Sequence, residues 1–107
     1  MKSLCLAWVR ASKTILYDQD GASIMVSPEL DTAPYFHGIS AQLKAFSSIV
    51  LLGPDMTKFH LRIFLQEQKP ELYRRIVGFE TISDFHSLQT QHFLQKYGLI
   101  DNALLEL

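Results

Sequence analysis

The chain of 107 residues has one cysteine, so no internal disulfide can form and a disulfide-stapled secreted scaffold is excluded. Cys5 lies inside the apolar run Leu4–Val9, which marks it as a small buried hydrophobe in a reducing compartment and not as a nucleophile. An excess of charge is also missing. Ten Lys and Arg against 11 Asp and Glu leave a net charge of -1. That excludes a domain-wide basic footprint for nucleic acid and leaves only local patches to consider. No apolar run approaches the length of a membrane span, and Leu4–Val9 is too short for a signal-peptide core. A cytoplasmic protein with no membrane partner is the expectation. Internal repeats and low-complexity segments are absent from the sequence.

The motifs of common chemistries are missing too. Gly53-Pro54 lacks the further glycines and the Lys-Ser/Thr ending of a phosphate loop. Leu4–Val9 contains no acid, whereas a two-metal nuclease needs carboxylates converging on adjacent strands. Asp18 and Asp20 fall at a hairpin end instead. His86 and His92 are six apart, off the i, i+4 spacing of two ligands on one helix, and His37 and His60 belong to different helices. Without a cysteine to join them, no metal site is expected, and no cofactor. The serines have no nucleophile-elbow context.

What is present is a folded globule. Hydrophobic residues make up 48% of the chain, with seven Phe, four Tyr and one Trp. A chain of this length forms one domain and buries roughly 65% of its unfolded surface. We expect residues 1–107 to form a single unit, with a core over 4–98 and an apolar tail over 99–107.

Ser48-Ile49-Val50-Leu51-Leu52 reads as a strand buried on both faces, stopped by Gly53-Pro54. A helix opens behind Asp55, from about Met56 to Gln66, and Lys69-Pro70-Glu71 breaks it. A second buried strand follows in Arg75-Ile76-Val77-Gly78-Phe79-Glu80-Thr81. Two such strands joined by a helix make a βαβ unit and a parallel sheet. Upstream, Leu4–Val9 and Ser12–Asp18 form a tight antiparallel hairpin, with Ile15 and Tyr17 on one face and Thr14 and Leu16 on the other. Asp20-Gly21 suits a type I′ turn into a third strand, Ser23–Val26. Asp31 or Thr32 caps a helix whose stripe is Phe36, Ile39, Leu43 and Phe46. A last helix, capped by Asp84 or Ser87, runs to Tyr97 and ends at Gly98. The order β-β-β-α-β-α-β-α predicts an α/β, ribonuclease-H-like fold: a mixed sheet with an antiparallel meander and helices on both faces.

These residues resemble a known family. Ile49-Val50-Leu51-Leu52-Gly53-Pro54 with Lys58 in the next helix, followed by Arg75-Ile76-Val77-Gly78-Phe79-Glu80-Thr81, is similar to the middle domain of eukaryotic and archaeal class-1 release factors. The nearer likeness is to small bacterial relatives of that domain, often labelled translational machinery proteins. Leu6-Ala7-Trp8-Val9, the strand ending at Tyr17, and Tyr35-Phe36-His37 look like their first hairpin and the start of their first helix. The resemblance spans roughly residues 4–98 and implies a scaffold with a link to ribosomes. It does not carry peptidyl-tRNA hydrolysis. The loop that holds a Gly-Gly-Gln tripeptide in release factors is here Ser27-Pro28-Glu29-Leu30-Asp31-Thr32-Ala33-Pro34, and the histidine-rich insertion of the small relatives is missing.

Three groups of residues are candidates for function. Asp55, Lys58, Glu80 and Thr81 follow the carboxyl ends of two neighbouring strands, the usual ligand rim of an open α/β sheet. The simpler reading makes Asp55 a helix cap, Lys58 a solvated lysine and Glu80-Thr81 a strand end. Arg62, Lys69, Tyr73, Arg74 and Arg75 are the one basic, aromatic-bearing concentration, suited to RNA phosphates or to a solvated shoulder. Met56, Phe59 and Ile63 are expected to form the inner face of their helix. Leu61 and Leu65 then point outward and, with Leu104, Leu105 and Leu107 of the tail, mark a self-association surface, a dimer being favoured. The expected function is a non-enzymatic binding protein at or near the ribosome. The alternative is a self-associating protein-binding or small-ligand module with no part in translation.

Overall fold

A computed structural model of the chain describes residues 2–28, 31–84 and 89–97. Five strands form one sheet in the order β3-β2-β1-β4-β5. β1 (Lys2–Val9) pairs antiparallel with β2 (Thr14–Asp18), which pairs antiparallel with β3 (Ser23–Val26). On its other side β1 runs parallel to β4 (Phe46–Gly53), and β4 runs parallel to β5 (Ile76–Thr81). β1 thus lies between the antiparallel meander and the parallel βαβ unit of β4, α2 and β5 and joins the two. Helix α1 (Thr32–Leu43) enters β4, and α2 (Thr57–Gln68) with a short α3 (Pro70–Tyr73) returns the chain to β5. α4 (Thr90–Lys96) ends the described part. Lys69-Pro70-Glu71 does break the helix, but Pro70 then opens α3, because its missing N–H and fixed φ suit a first helical position.

The period of two in the central strands divides the core. Cys5, Ala7, Val9, Ile49 and Leu51 face one side, under Tyr35, Phe36, Ile39 and Leu43 of α1, Leu61 and Leu65 of α2 and Leu72 of α3. Leu4, Leu6, Trp8, Val50 and Leu52 face the other, under Phe93 and Leu94 of α4. Helices therefore cover both faces, and β1 from Leu4 to Val9 and β4 from Ile49 to Leu52 are apolar because both of their surfaces are buried there. Cys5 is fully buried, and desolvation followed by the charge of Asp18 pushes its thiol far up the pH scale, away from thiolate chemistry.

Two local expectations change. The β2–β3 turn is not type I′. Asp18 N–H donates to Ala22 O at 2.9 Å and Gly21 N–H to Asp18 O at 3.1 Å, and Gly21 alone among the described residues has a positive φ, 88°. A type I′ turn needs two such residues; this is a three-residue loop with glycine at the left-handed position. The β1–β2 connection is also wider than Arg10-Ala11, closing through Arg10 N–H to Lys13 O at 3.1 Å.

The larger correction concerns α2. Leu61 and Leu65 are 0% exposed and belong to the core between α1, α2 and the sheet, whereas Met56 and Ile63 lie outside. The inner row is Lys58, Leu61 and Leu65, so Leu61 and Leu65 offer no surface to a second chain. Apolar residues occur all round this helix, and two rows at helical spacing competed for the sheet. Leu104, Leu105 and Leu107, together with Ile100, His86, the Ser87 cap and the Gly98 cap, lie outside the described residues.

Candidate functional site

At the carboxyl end of β4 the chain turns through Gly53-Pro54-Asp55 into α2. Asp55 Oδ1 accepts the Thr57 N–H at 2.9 Å, a local turn just ahead of α2, whose N-cap position is Met56 and not Asp55. Burial pushes the Asp55 carboxyl up, but Thr57 through its amide and hydroxyl, then Lys58 and the Ala11 amide, hold it below its ordinary value. Lys58 is not solvated: it is 1% exposed, and its ammonium donates to Gly53 O at 2.9 Å and to Asp55 O at 3.0 Å. The Phe59 ring lies 4.6 Å from the same nitrogen. Burial lowers the Lys58 pKa and Asp55 opposes that shift. Lys58 thus rivets the strand end to the helix and leaves no reactive amine at the surface.

Glu80 turns to the opposite face of the sheet. Its carboxylate accepts from Lys96 Nζ at 2.8 and 2.9 Å and from the Tyr97 hydroxyl at 2.6 Å. Those bonds, Lys96 before Tyr97, depress its pKa against the effect of burial, and Tyr97 is raised by burial and then by Glu80. Strand alternation is the cause: Glu80 lies opposite Leu52, on the α4 face, while Thr81 lies opposite Gly53 and is exposed. The structure therefore does not bring Asp55, Lys58, Glu80 and Thr81 into one rim.

The cleft that does exist at this end holds about 240 Å³ and is lined by Ala11, Pro28, Thr32, Tyr35, Phe36, Thr57 and His60. Its phenol is already used: Tyr35 donates to Arg10 O at 2.7 Å and so accepts from Thr14 Oγ1 at 2.6 Å. These bonds pin α1 to the first hairpin. Among the described residues no three His, Cys, Asp or Glu side chains gather in a way that would hold a metal ion.

The basic cluster is sorted by the fold into structural and free members. Arg75 donates from one terminal nitrogen to Phe46 O at 3.0 Å and to Lys44 O at 3.3 Å, which ties the start of β5 to the start of β4. Lys69 sits at the α2–α3 break, its N–H bonded to Leu65 O at 2.8 Å. Arg62, Tyr73 and Arg74 line a shallow groove of about 210 Å³ with Ile76 and Phe79. Phe59 and Phe79 stack with centroids 5.9 Å apart and planes 16° from parallel. The Arg62 guanidinium lies over that pair, 5.2 Å from Phe79 and 6.0 Å from Phe59. Its Nε is buried without a hydrogen-bond partner, and among the described residues its charge meets no carboxylate. Leaving a buried donor unpaired costs about 1–3 kcal/mol, more for a charged group. No residue lining the groove is acidic.

Sequence reasoning found Arg62, Tyr73 and Arg74 from their proximity in the chain, but missed Phe59 and Phe79, which come from a helix and a strand twenty residues apart. It also missed Tyr35 and His60 in the cleft, for which no local motif gives a signal.

No protein-family model matches the chain. No curated protein matches it either. Among solved structures it is similar to Pelota from Archaeoglobus fulgidus, whose crystal structure was described for its inter-domain structural plasticity. The TM-score is 0.70 at 17% identity, over 96% of this chain and 33% of that one. The chain thus spans about a third of the length of the protein it resembles. The relationship is distant and structural: what the two share is the fold of the mixed sheet and its helices.

Proposed function

We propose that this chain is a non-enzymatic binding module that associates with RNA at or near the ribosome. The observation that carries the reading is the Arg62 groove: a guanidinium over two stacked rings, its Nε without an acceptor among the described residues, beside Tyr73 and Arg74. Arginine held by aromatic stacking is suited to phosphate and base recognition. The Pelota-like scaffold supports a place in translation, and the Ser27–Pro34 connection, without glycine or glutamine, supports binding without peptidyl-tRNA hydrolysis. Lys69 and Arg75 do not line the groove, and Arg75 is held by backbone carbonyls.

Co-sedimentation with bacterial ribosomes at low and moderate salt tests the reading. Association that survives moderate salt and weakens in Arg62→Met and Arg74→Met supports it. Association that vanishes with salt alone, or that both variants leave unchanged, refutes it.

A second reading rests on the sheet edge. β3 ends the sheet, and Ile24 and Met25 are exposed on a stretch from Gly21 to Pro28 whose described residues carry no charge. An edge without lysine or an inward charge invites strand pairing. On this reading the protein self-associates through β3, and Met25→Lys returns a dimer to monomer mass in light scattering. A wild-type chain that is monomeric at high concentration sinks it.

A further inference from the structure

Resting on the RNA-binding reading, we infer that the Arg62 groove takes an unpaired nucleotide, its base stacked in the groove and its phosphate on Arg74, and so distinguishes single-stranded from duplex RNA. The composition of the groove makes the distinction. Its lining combines two cations with the apolar surfaces of Ile76 and Phe79 and the ring of Tyr73. A-form duplex presents phosphates and 2′-hydroxyls and keeps its base faces stacked, so it would satisfy Arg62 and Arg74 and leave the apolar part uncovered. A splayed-out base covers that part and stacks on aromatic or guanidinium planes.

The position of Arg62 is consistent with this role. It emerges from α2 and reaches across to β5, where the Phe59–Phe79 pair supports its guanidinium. The guanidinium is therefore held beside the rings before a ligand arrives, which lowers the ordering cost of binding. Arg74 is exposed at the end of α3, where a flexible side chain follows a phosphate without reading a base. Charge complementarity favours a polyanion, since the groove has no acidic lining residue. A carboxylate-bearing peptide would meet the same arginines but has no flat face for the groove.

Fluorescence anisotropy with labelled oligoadenylate, the same strand annealed to oligouridylate, and a poly-glutamate peptide decides the matter. The single strand is expected to bind about tenfold or more tighter than the duplex, the range that base stacking supplies. Arg62→Lys keeps the charge and removes the plane, and is expected to abolish the preference while duplex affinity stays within about twofold. Arg74→Met should weaken both RNAs alike and lower the salt slope by about 0.7–0.9. Equal binding of single strand and duplex, an unchanged preference in Arg62→Lys, or tighter binding of poly-glutamate each overturns the inference. If ribosome co-sedimentation persists while the oligoadenylate preference is absent, the inference fails and the broader reading stands. If both are absent, both fail.

Discussion

Tyr97 lays its ring on the backbone of Gly78, in the space that any β-carbon at residue 78 would occupy. The glycine is there for close approach: β5 must leave room for the residue that follows α4. Gly78→Ala is expected to displace the ring, break the Tyr97–Glu80 hydrogen bond and destabilise the protein by about 1–3 kcal/mol. In a Tyr97→Ala background the same change should cost far less. A double-mutant cycle in urea with no coupling between the two sites would refute the contact.

The Glu80 cluster gives stability a pH window. The folded Glu80 pKa is depressed, by Lys96 first and Tyr97 second, so its contribution is complete above the unfolded value of about 4.3 and is lost as pH falls through the folded value. Tyr97 is shifted upward, by burial first and Glu80 second. Its contribution is complete below about 10 and is lost as pH rises through the folded value. Thermal melts across pH should show Glu80→Gln flattening the acid limb and Tyr97→Phe the alkaline limb. Limbs parallel to wild type in both variants would reject the linkage.

Lys58 is a test of packing against hydrogen bonding. Gly53 O also accepts from Ile82 N–H at 3.2 Å, so removing the ammonium does not orphan that carbonyl. Lys58→Met keeps most of the buried stem and should cost about 0.5–1.5 kcal/mol, the net worth of a hydrogen bond whose buried acceptor keeps another donor. Lys58→Ala adds a cavity and should cost more, about 2–5 kcal/mol. Chemical denaturation ranks the two, and a harmless Lys58→Ala would mean that the side chain is not needed to join β4 to α2.

Leu61→Ala and Leu65→Ala should each cost about 2–5 kcal/mol, as truncations of fully buried leucines do. Neither should change the molar mass of whatever species remains folded. Variants as stable as wild type but of lower mass would return these residues to an interface.

The fold was largely legible because its signals are local. An apolar run at Leu4–Val9, another ending in Gly53-Pro54 and Ile76–Phe79 gave strands, although β5, expected to be buried, is a half-buried edge strand. The stripe of α1 gave its inward face through Phe36, Ile39 and Leu43, while Phe46 of that stripe opens β4 instead. The third strand was found from its turn, although the type of turn was not: Asp-Gly pairs serve several loop geometries, and only the second bond of Asp18 identified this one. The candidate sites were less legible. Asp55 and Glu80 stand at adjacent strand ends in sequence order, yet alternation sends Glu80 through the sheet to α4. The basic cluster was visible as a cluster, but not its division into Arg75, consumed by backbone carbonyls, and Arg62, left on its aromatic support.

The sequence by itself determined the element order, the parallel βαβ unit, the buried character of β1 and β4 and the absence of a Gly-Gly-Gln loop, since each depends on residue identity and short-range period. Tertiary structure alone decided which row of α2 faces inward. Rows containing Leu61 and Leu65 or Phe59 and Ile63 are comparably apolar, and the choice follows from where α1 and the sheet already lie. That choice buries Lys58, frees Met56 and Ile63, and turns Phe59 and Arg62 toward Phe79 on β5. The groove therefore exists only once helix and strand have docked, because its parts have no relation to one another along the chain.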